Sequence, residues 1–140
     1  MACETLANLA RDNAGMRVKI AAAGGIEAFV AAMKAHKTSA LLQEQACRAL
    51  GNLAGNDNNK VAISTAGGIE ALATAMKTHQ ASALLQQNAC LALHNLAFNA
   101  SLRERIKAAG GVELAKRAVI ASDATALTKD WGKRLLDKLA

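Results

Sequence analysis

The sequence predicts an all-α fold, a stack of three-helix repeats, and three observations carry that prediction. A Gly-Gly pair recurs at Gly24-Gly25, Gly67-Gly68 and Gly110-Gly111, a period of 43 residues, and self-similarity at such a period marks a stacked helical array. The 140 residues contain no proline and are rich in Ala, Leu, Lys, Gln and Glu, which favour helix. β-Branched runs of strand length are missing. The repeat reaches well beyond the glycines: Gly24 to Cys47 and Gly67 to Cys90 share 16 of 24 residues.

Taken in order, residues 1–12 match only the last part of a third helix, through Leu6-Ala7-Asn8-Leu9-Ala10. They read as a partial repeat or an amino-terminal cap. Repeat 1 spans 13–55, with helices at about Gly15 to Ala23, Gly25 to His36 and Ser39 to Gly55. Repeat 2 spans 56–98. Its short first helix, about Asn58 to Ala66, starts at an asparagine able to cap free amides and stops at Gly67, which can take the left-handed conformation. Its second helix, about Gly68 to His79, places Ile69, Leu72, Ala73 and Met76 on one face. Its third, about Ser82 to Phe98, is capped by Ser82 and turns Leu85, Ala89, Ala92, Leu93 and Leu96 inward. Repeat 3 spans 99–140, with helices at about Ser101 to Ala109, Gly111 to Ala121 and Ala124 to Leu139. All of this makes one domain, 1–140. Whether it is complete, excised from a longer array or engineered stays open at this level.

Composition bounds the function. Only Phe29, Phe98 and Trp131 are aromatic, so the core must be aliphatic and alanine-rich. A net charge of +6 and a pI near 9.6 favour acidic partners. Cys47 and Cys90 share one position in successive repeats, and Cys3 joins them after a 44-residue displacement. Free, buried thiols of this kind fit a reducing compartment, cytosol or nucleus. No secretory leader is expected, because Glu4, Arg11 and Asp12 interrupt the start, and no run of 18 apolar residues offers a membrane span. No catalytic, metal-binding or cofactor-binding residues are expected. The cysteines repeat as core positions, and His36 and His79 recur where a second helix ends. Arg103, Arg105, Lys107, Lys116 and Arg117, followed by Lys129, Lys133, Arg134 and Lys138, form a basic cluster. Without aromatic interleaving or a base-reading module, this cluster reads as a solubilising surface and not a specific nucleic-acid site.

A polar stripe runs along the third helices, apart from the Leu/Ala face. It holds Gln45, Arg48 and Asn52 in repeat 1, Asn88, Leu91 and Asn95 in repeat 2, and Trp131, Arg134 and Lys138 in repeat 3. Glu4 and Asn8 provide its partial beginning.

The period, the short-long-long helix pattern, the Ala-Gly-Gly-(Ile/Val)-Glu junctions and the Leu-x-Asn-Leu-Ala endings resemble armadillo repeats over nearly the whole chain. The resemblance implies a right-handed solenoid whose third helices line a concave groove for an extended peptide. It also implies that Asn52 and Asn95, with Asn8 matching in the incomplete repeat, contact the peptide backbone. An asparagine amide suits that task because it both donates and accepts. Import receptors of this family carry a tryptophan one turn before the asparagine, where this chain has Glu4, Arg48, Leu91 and Arg134. A strongly basic cargo is therefore not expected, and acidic or apolar anchors are.

Local roles compete with these. The asparagines also suit capping, or tying one repeat to the next. Trp131 suits either packing of the terminal repeat or a ligand anchor, and Arg48 either a solvated cation or a carboxylate clamp. The expected function is a protein-binding scaffold. The alternative is an assembly module that self-associates, weakly, or forms part of a longer solenoid.

Overall fold

The computed structural model describes residues 13–140 together with Thr5, Ala7 and Asn8, all three helical. Cys3, Glu4 and most of the partial repeat lie outside the described residues. Residues 13–140 form nine helices: α1 (Ala14–Ala22), α2 (Gly25–Ala35), α3 (Ala40–Leu53), α4 (Asp57–Thr65), α5 (Gly68–Thr78), α6 (Ala83–Leu96), α7 (Ala100–Ala108), α8 (Gly111–Ile120) and α9 (Ala126–Leu139). They group in threes as an armadillo-type solenoid. Within each repeat the second helix packs on the third, and between repeats α3 packs on α6 and α6 on α9.

Each short helix starts at an asparagine on the 43-residue period. Asn13 accepts from Met16 N, Asn56 from Asn59 N, and Asn99 from Ser101 N and Leu102 N. This corrects the expectation of a cap at Asn58. Asn56 has the extended backbone that a cap needs (φ −100°, ψ 132°). Asp57 then falls in the first turn, where its charge suits the helix dipole, and it pairs with Lys60 at 2.7 Å. The third helices are capped by Ser39, Ser82 and Thr125, so α9 begins at Ala126 and not at Ala124. They end at Leu53 and Leu96, before Gly55 and Phe98, because Gly55 N and Phe98 N turn back to the Asn52 and Asn95 carbonyls.

The two glycines of each junction do different jobs. Gly24, Gly67 and Gly110 sit at φ +85°, +86° and +90°, a left-handed conformation that side chains disfavour. Gly25, Gly68 and Gly111 need empty space instead. A Cβ there would lie 2.7 to 2.8 Å from the carbonyl oxygen of Ile20, Ile63 or Ile106.

Ile69, Leu72, Ala73 and Met76 on α5, and Leu85, Ala89, Ala92, Leu93 and Leu96 on α6, are all buried as their spacing predicted. Gln43 and Gln86 lock the second helix to the third. Gln43 Nε2 donates to the Met33 and His36 carbonyls (both 2.9 Å), and Gln86 Nε2 to those of Met76 and His79 (3.0 and 3.1 Å). The Met33 and Met76 carbonyls in the last turns of α2 and α5 thereby gain a donor, while those of His36 and His79 also accept from Ser39 N and Ser82 N. In repeat 3 the corresponding residue is the exposed Lys129.

Candidate functional site: the third-helix face

Helices α3, α6 and α9 lie side by side and turn equivalent residues in one direction. At their amino-terminal edge Leu41, Leu84 and Leu127 form a row. These leucines are 55%, 51% and 54% exposed and 43 residues apart. They sit one turn before the polar stripe and belong to it. The row was not among the candidates read from the sequence, although the period alone would have found it. Between α3 and α6 the face dips into an open depression of about 380 Å³, whose lining includes Leu41, Gln45, Arg48, Leu84 and Asn88.

The asparagines spend their donors within the fold. Asn52 Nδ2 donates to the Ala7 carbonyl (2.9 Å), Asn95 Nδ2 to Gly51 (2.9 Å) and Asn88 Nδ2 to Glu44 (3.0 Å). In repeat 3 the Thr128 hydroxyl donates to the Ala83 carbonyl (3.2 Å). Each bond ties one third helix to the third helix before it. The Asn95 bond has a local cause: Gly55 N turns to the Asn52 carbonyl at 3.3 Å. The Gly51 carbonyl, near the end of α3, is thus left for a donor from the next repeat.

The remaining candidates divide between the two ends of the face. Arg48 donates to the exposed Asn8 side chain. Gln45 is half-buried and its Oε1 has no partner, while Leu91 is half-buried. Glu4 lies outside the described residues. Trp131 is half-buried against the core, and Arg134 stands 5.0 Å from its ring centroid. His94 and Phe98 were not among the candidates. The His94 ring centroid lies 5.2 Å from both Phe98, edge to face, and Trp131, tilted. Burial lowers the His94 pKa, and nearby Lys138 and Arg134 push it the same way against a hydrogen bond with Asn95. The ring is accordingly neutral at pH 7.

Cys47 and Cys90 are free and buried. Burial pushes the Cys90 thiol up to about 12 and Cys47 higher still, the latter with help from Cys90 and Glu44. Because the thiolate is the reactive form, both should resist a water-soluble disulfide reagent at pH 8 until the chain is unfolded. Rapid labelling of either in the folded protein would contradict their burial. Among the described residues no group of three or more His, Cys, Asp or Glu could hold a metal ion. No described helix is long and apolar enough to cross a membrane.

The family model described as Armadillo/beta-catenin-like repeat matches residues 13–55 and 56–98, more than half of the chain. Repeat scaffolds of this kind are non-catalytic. No curated protein matches. Among solved structures, three crystal structures of engineered proteins from the Northeast Structural Genomics Consortium are similar over 99% of this chain. Two are 31% identical, with TM-scores of 0.83 and 0.84, and the third is 27% identical with a TM-score of 0.88. The chain spans 33%, 54% and 55% of their respective lengths.

Proposed function

The chain belongs to the armadillo/beta-catenin-like repeat family, and from that premise we propose that it is a protein-interaction scaffold binding an extended peptide with acidic or apolar anchors along the third-helix groove. The observation that carries this reading is the row of Leu41, Leu84 and Leu127, each more than half exposed at the same place in its repeat. Scattered surface leucines need no explanation, but apolar side chains at one place on successive helices, two of them lining one depression with polar neighbours, have the composition of a docking surface. The positive net charge supports acidic over basic peptides. The buried thiols support residence in the cytosol or nucleus.

The test is fluorescence anisotropy with a short labelled peptide in which leucine and glutamate alternate. A Leu84→Gln, Leu127→Gln variant alters exposed positions, so its fold should persist by circular dichroism. Its affinity should fall at least tenfold, or about 1.4 kcal/mol. Undiminished binding by the folded variant, or no binding by the wild type, would count against the reading.

A further inference from the structure

We infer that Lys138 and Arg134, held over the rings of Phe98 and Trp131, form a carboxylate-binding anchor at the repeat-3 end of the third-helix face, selecting a peptide with an acidic residue next to an apolar one. This rests on the peptide-binding reading above and names what that face selects.

The first support is where the chain places its aromatics. Of three Phe and Trp residues in the sequence, Phe29 is in the core, while Phe98 and Trp131 meet around His94 at the α6–α9 junction. The equivalents of His94, Phe98 and Trp131 one repeat earlier are Gly51, Gly55 and Asn88. Phe98 remains 56% exposed, although burying it would have been favourable. The cluster is therefore local to one junction and open at its surface.

The cations supply the second support. Lys138 Nζ stands 4.1 Å from the Phe98 centroid, and the Arg134 guanidinium 5.0 Å from that of Trp131. A cation on a ring face is positioned before any ligand arrives, so it loses less side-chain freedom on binding. Both keep capacity. Among the described residues no carboxylate pairs with Lys138. Arg134 faces Asp130, its Nε 3.3 Å from a carboxylate oxygen, and a guanidinium with five N–H donors has capacity for a second carboxylate, the acceptor an arginine fork fits best.

Position supplies the third. Lys138 is the repeat-3 equivalent of Asn52 and Asn95, both engaged in ties between repeats. Where those side chains close the stack, Lys138 instead puts a charge over an exposed ring. The repeat-1 end of the face has a different balance, with Arg48 bound to Asn8 and Glu44 accepting from the Ser82 hydroxyl at 2.7 Å. Charge complementarity thus orients the occupant. Its acidic residue lies against α9 beside Phe98, and because Leu127 is about 16 Å along α9 from Lys138, several of its residues span the distance back to the row of Leu127, Leu84 and Leu41.

The test compares two labelled peptides, one alternating leucine with glutamate and one alternating leucine with glutamine. The readouts are anisotropy and the fluorescence of Trp131, the sole tryptophan. The glutamate peptide should bind at least tenfold tighter at low salt, perturb Trp131 emission, and lose its advantage as salt screens the charges. Lys138→Gln and Arg134→Gln should each reduce that preference, their combination should abolish it, and Lys138→Arg should retain it. Equal binding of the two peptides, or a preference surviving in the Lys138→Gln, Arg134→Gln variant, would overturn the anchor. If both peptides bind equally and both weaken in the Leu84→Gln, Leu127→Gln variant, the anchor fails while the groove reading stands. If neither peptide binds, both fail.

Discussion

Gly68→Ala unfolds at clearly lower urea than the wild-type chain, by the equivalent of roughly 1–3 kcal/mol, the usual cost of forcing extra atoms into a packed site. The new Cβ would lie 2.4 Å from Ile63 Cγ2 and 2.8 Å from the Ile63 carbonyl oxygen, and Ile63 is fully buried. A rotamer change could relieve the first contact, but the second is backbone and moves only if the α4–α5 junction opens. The better helix propensity of alanine offsets at most about 1 kcal/mol. Shortening Ile63 to Ala in the same chain should therefore leave most of the penalty in place. Gly67→Ala acts through another cause, the left-handed backbone at φ +86°. Asparagine there should be tolerated better than alanine, whereas at position 68 it should not. Equal urea midpoints for wild type and Gly68→Ala would show that the junction is loose. Such a result would remove the reason the glycine pair recurs.

That pair was the most legible feature of the fold, because backbone conformation and close approach are local demands repeated three times. The inward positions of α5 and α6 were legible for a similar reason: helical spacing determines which side chains share a face. Helix starts were less so. Any nearby asparagine offers the same chemistry, but Asn13, Asn56 and Asn99 lie on the period while Asn58 aligns with Gly15 and Ser101, and Asn56 has the extended backbone and the bond from Asn59 N that a cap makes. The candidate site was legible as a stripe but not as a set of partners. Spacing puts Asn88 and Asn95 on one face of α6. It does not say that the preceding third helix brings the Glu44 and Gly51 carbonyls within 3.0 Å of their amides, which depends on the register between repeats. His94 and Phe98 stand outside the candidate stripe because periodicity marks what recurs, and neither has an aromatic counterpart one repeat earlier.

Asn95→Leu separates the two roles open to the asparagine ladder. The Asn95 side chain donates to the Gly51 carbonyl at 2.9 Å, and no described backbone amide serves that oxygen, since Gly55 N has turned to Asn52. Leucine nearly matches asparagine in size but cannot donate, so a half-buried carbonyl is left without a partner at a cost of about 1–3 kcal/mol. Asn95→Asp should be worse at neutral pH, because a carboxylate would face the carbonyl oxygen, and it should recover in part as acid restores a donor. Urea denaturation read by circular dichroism measures both, and an unchanged midpoint in Asn95→Leu would refute the tie. Peptide affinity measured under conditions where the variant is folded then reports the second role independently. A folded Asn95→Leu chain that binds the leucine–glutamate peptide as tightly as wild type assigns Asn95 to the stack alone. A further loss of affinity means that Asn95 also takes part in recognition, through Oδ1 or through the neighbouring His94 ring that it helps to hold. Stability and recognition can meet in one side chain here because an amide has two ends, and the tie to Gly51 engages only the donor.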